Sequence, residues 1–116
     1  MERRKFMRFP VSLKVEAIKK NKESLFGLIR DFSREGLRVI FDNFDFKSNS
    51  YVDFKIQRPD TEVFVPASVE VIWKRPVEGR WETGLRFKEF PPRVKAEILE
   101  FGYKKWLKDK LYFSQY

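Results

Sequence analysis

The feature that most constrains this chain is an alternation eleven residues long, Val63, Val65, Ala67, Val69, Val71 and Trp73. A period of two with one apolar face describes a strand half-buried in a sheet; a helix would repeat near 3.6. Pro66, at the opposite parity, predicts an edge or a bulge within it. Shorter runs of the same kind are Val11, Leu13, Val15 and Ala17; Leu37, Val39 and Phe41; Val52, Phe54 and Ile56; and Trp81, Thr83, Leu85 and Phe87. Leu25 to Ile29 forms a further, less regular apolar segment. Turn residues separate them at Asn21-Lys22, Asp42-Asn43, Ser48-Asn49-Ser50, Arg58-Pro59-Asp60 and Pro76 to Gly79. Six strands with short connections predict a mainly β fold, an antiparallel barrel or sandwich, with the pairing order left open.

At Pro91-Pro92 the period changes. Val94, Ile98 and Phe101 stand at i, i+4 and i+7, one face of a helix running to about Leu111 with proline in its first turn. A second stripe, Leu99, Tyr103 and Trp106, lies about 140° further round. Either the helix is buried over a wide arc or this stripe is a protein-contact face.

Absences narrow the chemistry. At 116 residues the length suits one domain, and the chain has no Cys and no His. Disulfides, thiol chemistry, imidazole acid–base catalysis and His-ligated zinc are therefore excluded. The carboxylates show no paired site, and neither a P-loop nor a metal-ligand cluster is present, so an enzyme is not expected. No apolar run approaches the roughly 20 residues of a membrane span, so membrane insertion is not expected. The basic start, Met1 to Lys5, is not followed by the apolar stretch of a signal peptide, and a cytoplasmic location is expected.

The net charge is +8, from 25 Lys+Arg against 17 Asp+Glu. Residues 1–10 hold four positive side chains and one negative; residues 11–90 hold fifteen and thirteen; residues 91–116 hold six and three. A nearly neutral body thus carries two basic ends, which serve solubility or an anionic partner.

Two short motifs carry chemistry. Arg4-Lys5-Phe6-Met7-Arg8 is an R-x-x-x-R before the first strand, a spacing repeated at Arg30–Arg34 and Arg34–Arg38. Asp31-Phe32-Ser33-Arg34-Glu35-Gly36 is a D-x-S-x-x-G between the second and third strands, built of ordinary turn formers. An Arg pair before strand one, D-x-S-x-x-G after strand two, six strands and a closing helix together resemble the PilZ domain, the bacterial receptor for cyclic di-GMP. The opening Glu2 to Val11, the segment Val69-Glu70-Val71-Ile72-Trp73 and the segment Thr83-Gly84-Leu85-Arg86-Phe87 are similar to that family as well.

The resemblance implies a six-stranded antiparallel β-barrel with a C-terminal α-helix: an Arg-rich ligand-binding arm at 1–10, barrel at 11–90, helix and tail at 91–116. It implies that Arg4 and Arg8 clamp phosphate and guanine, while Asp31, Ser33 and Gly36 hold a guanine on the barrel surface. Arg3 matches the doubled Arg that in similar domains accompanies an intercalated pair of cyclic di-GMP molecules. Trp73 stands where similar domains often carry an aromatic near the ligand, although its alternation with Val69 and Val71 favours core packing. Trp81 is core by parity and Gly84 structural.

The chemistry of the residues agrees. Guanidinium binds phosphate or the guanine O6/N7 edge bidentately and stacks on purines. A carboxylate such as Asp31 accepts the guanine N1–H and N2–H donors as a pair. A polar arm at 1–8 that orders on binding, a protein effector, and a homodimer through the helix, whose free surface is the Leu99-Tyr103-Trp106 stripe, are the further expectations. No cofactor is expected. Two other classes are a nucleic-acid-binding barrel, disfavoured because the aromatics share parity with the core, and an adapter of the same fold that ignores the nucleotide.

Overall fold

The structure is a computed structural model that describes residues 7–114, with side chains to residue 111. Its elements are β1 (Phe9–Pro10), β2 (Lys14–Ile18), β3 (Ser24–Phe32), β4 (Gly36–Phe41), β5 (Tyr51–Gln57), β6 (Phe64–Val77), β7 (Arg80–Glu89) and α1 (Pro92–Ser114). The sheet order is β1-β3-β2-β5-β6-β7-β4, and β4 pairs back onto β3. Strands β2 to β7 therefore close into a six-stranded antiparallel barrel, with β1 as one outer strand.

Closure buries the alternating faces read from the sequence. Val15, Val39, Ile56, Val69 and Val71 are completely buried, as are the larger Phe32 and Leu37. Phe41 fills the centre, its ring 4.8 Å from Phe44 and 6.1 Å from Phe54. Each such aromatic removes a large apolar area from water, which lets a small barrel hold a core.

Strand β1 falls within the segment read as an arm. Phe9 pairs with Phe32 and Pro10 with Asp31, and Phe9 is buried at 8% exposure. Two residues carry no period, so this strand was not visible in the alternation.

Helix α1 closes over the core with Ile98 fully buried and Val94, Leu99, Phe101 and Trp106 packed beside it. Both sequence stripes thus contribute to packing. Leu99 and Trp106 are half-buried against the core, and of the Leu99-Tyr103-Trp106 stripe Tyr103 alone is exposed. Gly102 explains the close approach: a Cβ there would stand 2.8 Å from the Phe9 Cβ. Phe9 in turn meets Tyr103 and Trp106 edge-on, at 6.1 and 6.4 Å between ring centroids.

Candidate ligand-binding site

The spacing of D-x-S has a direct geometric meaning. In β3 the register against β4 slips between Ile29 and Asp31, leaving Arg30 as a bulge. Ile29 points inward; without the bulge Asp31, two residues on, would share its face. With it, Asp31 and Ser33 turn outward while Phe32 fills the core. The β1–β3 register sets Arg8 beside Ser33, and the three polar side chains meet on one outer face.

There the Arg8 guanidinium donates from Nε to Asp31 Oδ1 at 2.7 Å and from Nη1 to Ser33 Oγ at 3.3 Å. Arg38, the cross-strand partner of Asp31, donates from Nε to its other oxygen, Oδ2, at 2.6 Å. Its Nη2 also pairs with Oδ2. Covered by two guanidiniums, Asp31 is only 6% exposed. The hydrogen bond to Asp31 raises the Arg38 pKa above its ordinary value, against the effect of partial burial.

The charge row continues across the sheet. Arg75 donates to Glu82 Oε1 from Nη2 at 2.6 Å and from Nε at 3.2 Å, and Arg38 Nη1 stands 4.0 Å from the same oxygen. Arg8, Asp31, Arg38, Glu82 and Arg75 thus form a string of alternating sign with one net positive charge. Beside it Arg86 pairs with Glu70 at 2.7 Å.

Ser33 closes the β3–β4 turn. Its N–H donates to the Gly36 carbonyl at 2.8 Å, and its Oγ accepts from the Glu35 and Gly36 N–H groups at 3.3 Å. Gly36 meets a requirement of the sheet itself. A Cβ there would stand 2.0 Å from the Leu85 carbonyl oxygen, so glycine is needed where β4 crosses β7.

Trp73 departs from the parity reading. A second bulge shifts β6 against β7, with Val71 opposite Leu85 but Trp73 opposite Gly84. Ile72 is left over, 39% exposed, and the indole turns outward instead of entering the core with Val69 and Val71. It lies across Gly84, where a Cβ would stand 2.2 Å from its Nε1, and the Arg75 Cζ sits 5.4 Å from its ring centroid. Trp81, by contrast, packs on the core. Asp31, Arg38, Gly84 and Trp73 then form one cross-strand row over β3, β4, β7 and β6.

Arg38, Gly84 and Trp73 of this row line an open cleft of about 700 Å³ together with Arg8, Ser33, Gly36 and Arg75, while Asp31 is covered by Arg8 and Arg38. The volume suits a ligand larger than a simple anion. Of the sequence-predicted residues, Arg8, Asp31, Ser33, Gly36 and Trp73 come together; Arg3 and Arg4 lie outside the described residues. Arg38, Arg75 and Glu82 were missed, although Arg38 does alternate outward between Leu37 and Val39. No group of three or more carboxylates among the described residues could hold a metal ion.

A family model described as PilZ domain matches residues 2–104. The chain belongs to the PilZ domain family. Solved PilZ structures share its fold. The PilZ domain of Escherichia coli YcgR, solved with c-di-GMP, is 11% identical with a TM-score of 0.73, covering 99% of this chain and 100% of that one. Bacillus subtilis MotI/DgrA, an inhibitor of motility, is 18% identical at 0.75, over 93% of this chain and 53% of that one. The K. pneumonia MrkH–c-di-GMP complex is 15% identical at 0.76, over 95% and 54%. This PilZ domain thus spans about half the length of MotI/DgrA and MrkH. No curated relative matches it by sequence.

Proposed function

We propose that this PilZ domain is a receptor for cyclic di-GMP, binding the nucleotide without transforming it. The observation that carries the reading is the meeting of Arg8, Asp31 and Ser33 on one outer face beside the Trp73 cleft. The bound state is reached by exchange of partners. Both Asp31 oxygens are held by guanidiniums in the structure, Oδ1 by Arg8 and Oδ2 by Arg38. A guanine offers N1–H and N2–H to those oxygens, and Arg8, released, turns to a phosphate or to the guanine O6/N7 edge. One set of charge-assisted bonds replaces another, so little of the burial of Asp31 has to be undone. The Trp73 indole offers a flat face for the second purine, with Arg38 and Arg75 as counter-charges to the phosphates. Arg4 completes the clamp and Arg3 admits a second, intercalated nucleotide.

The output runs to a protein partner through β1. Phe9 follows Arg8 directly and is wedged against Gly102 of α1, so a displaced Arg8 shifts the contact that seats the helix. Titration calorimetry with cyclic di-GMP tests the reading. Saturable heat with one or two nucleotides per chain supports it; no heat, or displacement of the nucleotide by a short single-stranded oligonucleotide, overturns it.

A further inference from the structure

Beyond Gly102, α1 carries a second surface that nucleotide binding does not use. At 3.6 residues per turn, Tyr103, Leu107 and Leu111 fall within about 80° of arc, on the side away from the buried Ile98 and Gly102. They are 46%, 37% and 55% exposed. Apolar side chains in a row on a solvent-facing helix are unusual unless something covers them. Around them stand Lys104, Lys108 and Lys110, all exposed, with Asp109 as the one acid from 103 to 111.

A second copy of the chain fits this surface poorly. Self-contact would bring the same lysines face to face. Three partly exposed side chains also fall far short of the roughly 800 Å² per partner of a stable interface. An acidic surface that accepts shallow apolar insertion meets both features at once, and the net charge of +8 attracts the whole chain toward it. Among the described residues Lys104 pairs with Glu100, at 3.0 Å on the exposed face. Such a pair is easily exchanged for a lipid phosphate.

We propose that the outward face of α1 from Tyr103 to Leu111 docks on an anionic lipid surface, lying in its plane with the lysines toward the headgroups. It does not span: no helix among the described residues is long and apolar enough to cross a membrane.

The test is co-sedimentation of the full chain with phosphatidylcholine vesicles, with and without phosphatidylglycerol. Binding is expected only to the anionic vesicles and weakens with salt. Leu107→Glu and the pair Lys104→Glu/Lys108→Glu each lower the partition coefficient by about tenfold or more. The control pair Lys47→Glu/Lys55→Glu, exposed positions on the barrel, lowers it by less. Thermal melts confirm that each variant folds, and the lysine pair keeps the test valid if Leu107→Glu does not. Equal binding to both vesicle types, or equal loss in the control pair, overturns the proposal. So does a wild-type dimer that Leu107→Glu dissociates, since the face would then be a contact between copies.

Discussion

The Arg8 guanidinium rests on a single oxygen of Asp31, with Nε and Nη2 each 2.7 Å from Oδ1. Arg38 occupies the other oxygen. The acid at the centre of the proposed site is therefore already saturated by the protein's own cations, and ligand must compete with them. Arg8 thus has partners on the barrel, Asp31 and Ser33, within the segment read as an arm.

Arg38 also holds the barrel together. Its removal leaves Asp31 with one partner and weakens the cover over Glu82, two acids whose side chains are 9% and 8% exposed. Arg38→Ala is expected to lower stability by about 1–3 kcal/mol, read from the midpoint of urea unfolding. An unchanged midpoint would show that Arg8 and Arg75 suffice.

Gly36 and Gly84 separate backbone clash from side-chain clash. A Cβ at Gly36 meets the Leu85 carbonyl, which cannot move without parting β4 from β7; a Cβ at Gly84 meets the Trp73 indole, which can swing away. Gly36→Ala is expected to destabilise by more than about 3 kcal/mol, and Gly84→Ala by about 1–3 kcal/mol. Gly84→Ala also alters tryptophan fluorescence and weakens cyclic di-GMP binding. Equal stability losses would contradict the assignment.

These relations also show where the sequence was legible. Residues whose faces keep a strict period, such as Val52, Phe54 and Ile56, or Val94, Ile98 and Phe101, read directly into strand and helix. The bulges at Arg30 and Ile72 did not, because an inserted residue looks like any other, and each reverses the side on which the next residues fall. Both lie at the candidate site, one turning out Asp31 and the other Trp73, whereas a third shift, between Ser68 and Val69, lies apart from it. Motif spacing singled out Asp31 despite the bulge. Parity alone misassigned Trp73 to the core; Arg38 ends one of three R-x-x-x-R spacings that nothing in the sequence ranks, and Arg75 belongs to no motif.

Phe9 joins site to helix. Phe9→Ala removes a buried ring between β1 and α1, at an expected cost of about 3–5 kcal/mol. Hydrogen exchange should then show faster exchange in α1 beyond Ile98 than in β5 or β6. Uniform loss of protection would mean that β1 and α1 unfold only with the whole barrel.

Lys19, just past β2, ties down the β4–β5 loop through Asp45 at 2.6 Å. The hydrogen bond from Lys19 holds the Asp45 carboxyl below its usual range. A lowered carboxylate pKa stabilises the fold above the ordinary value of about 4 and loses that contribution as pH falls through the lowered one. Asp45→Asn is thus expected to reduce stability slightly at neutral pH and to match the wild type at the acid end, with the difference shrinking in high salt. A difference that grows on acidification would contradict the sign.

The most direct measurement is calorimetric titration of cyclic di-GMP into the wild type and into Arg8→Ala and Asp31→Ala, each checked for a cooperative melt. The wild type is expected to bind saturably at micromolar or tighter affinity. Each variant is expected to lose about 30-fold or more, as when one partner of a buried charge pair is removed. Folded variants that bind the nucleotide as tightly as the wild type would contradict the proposed site.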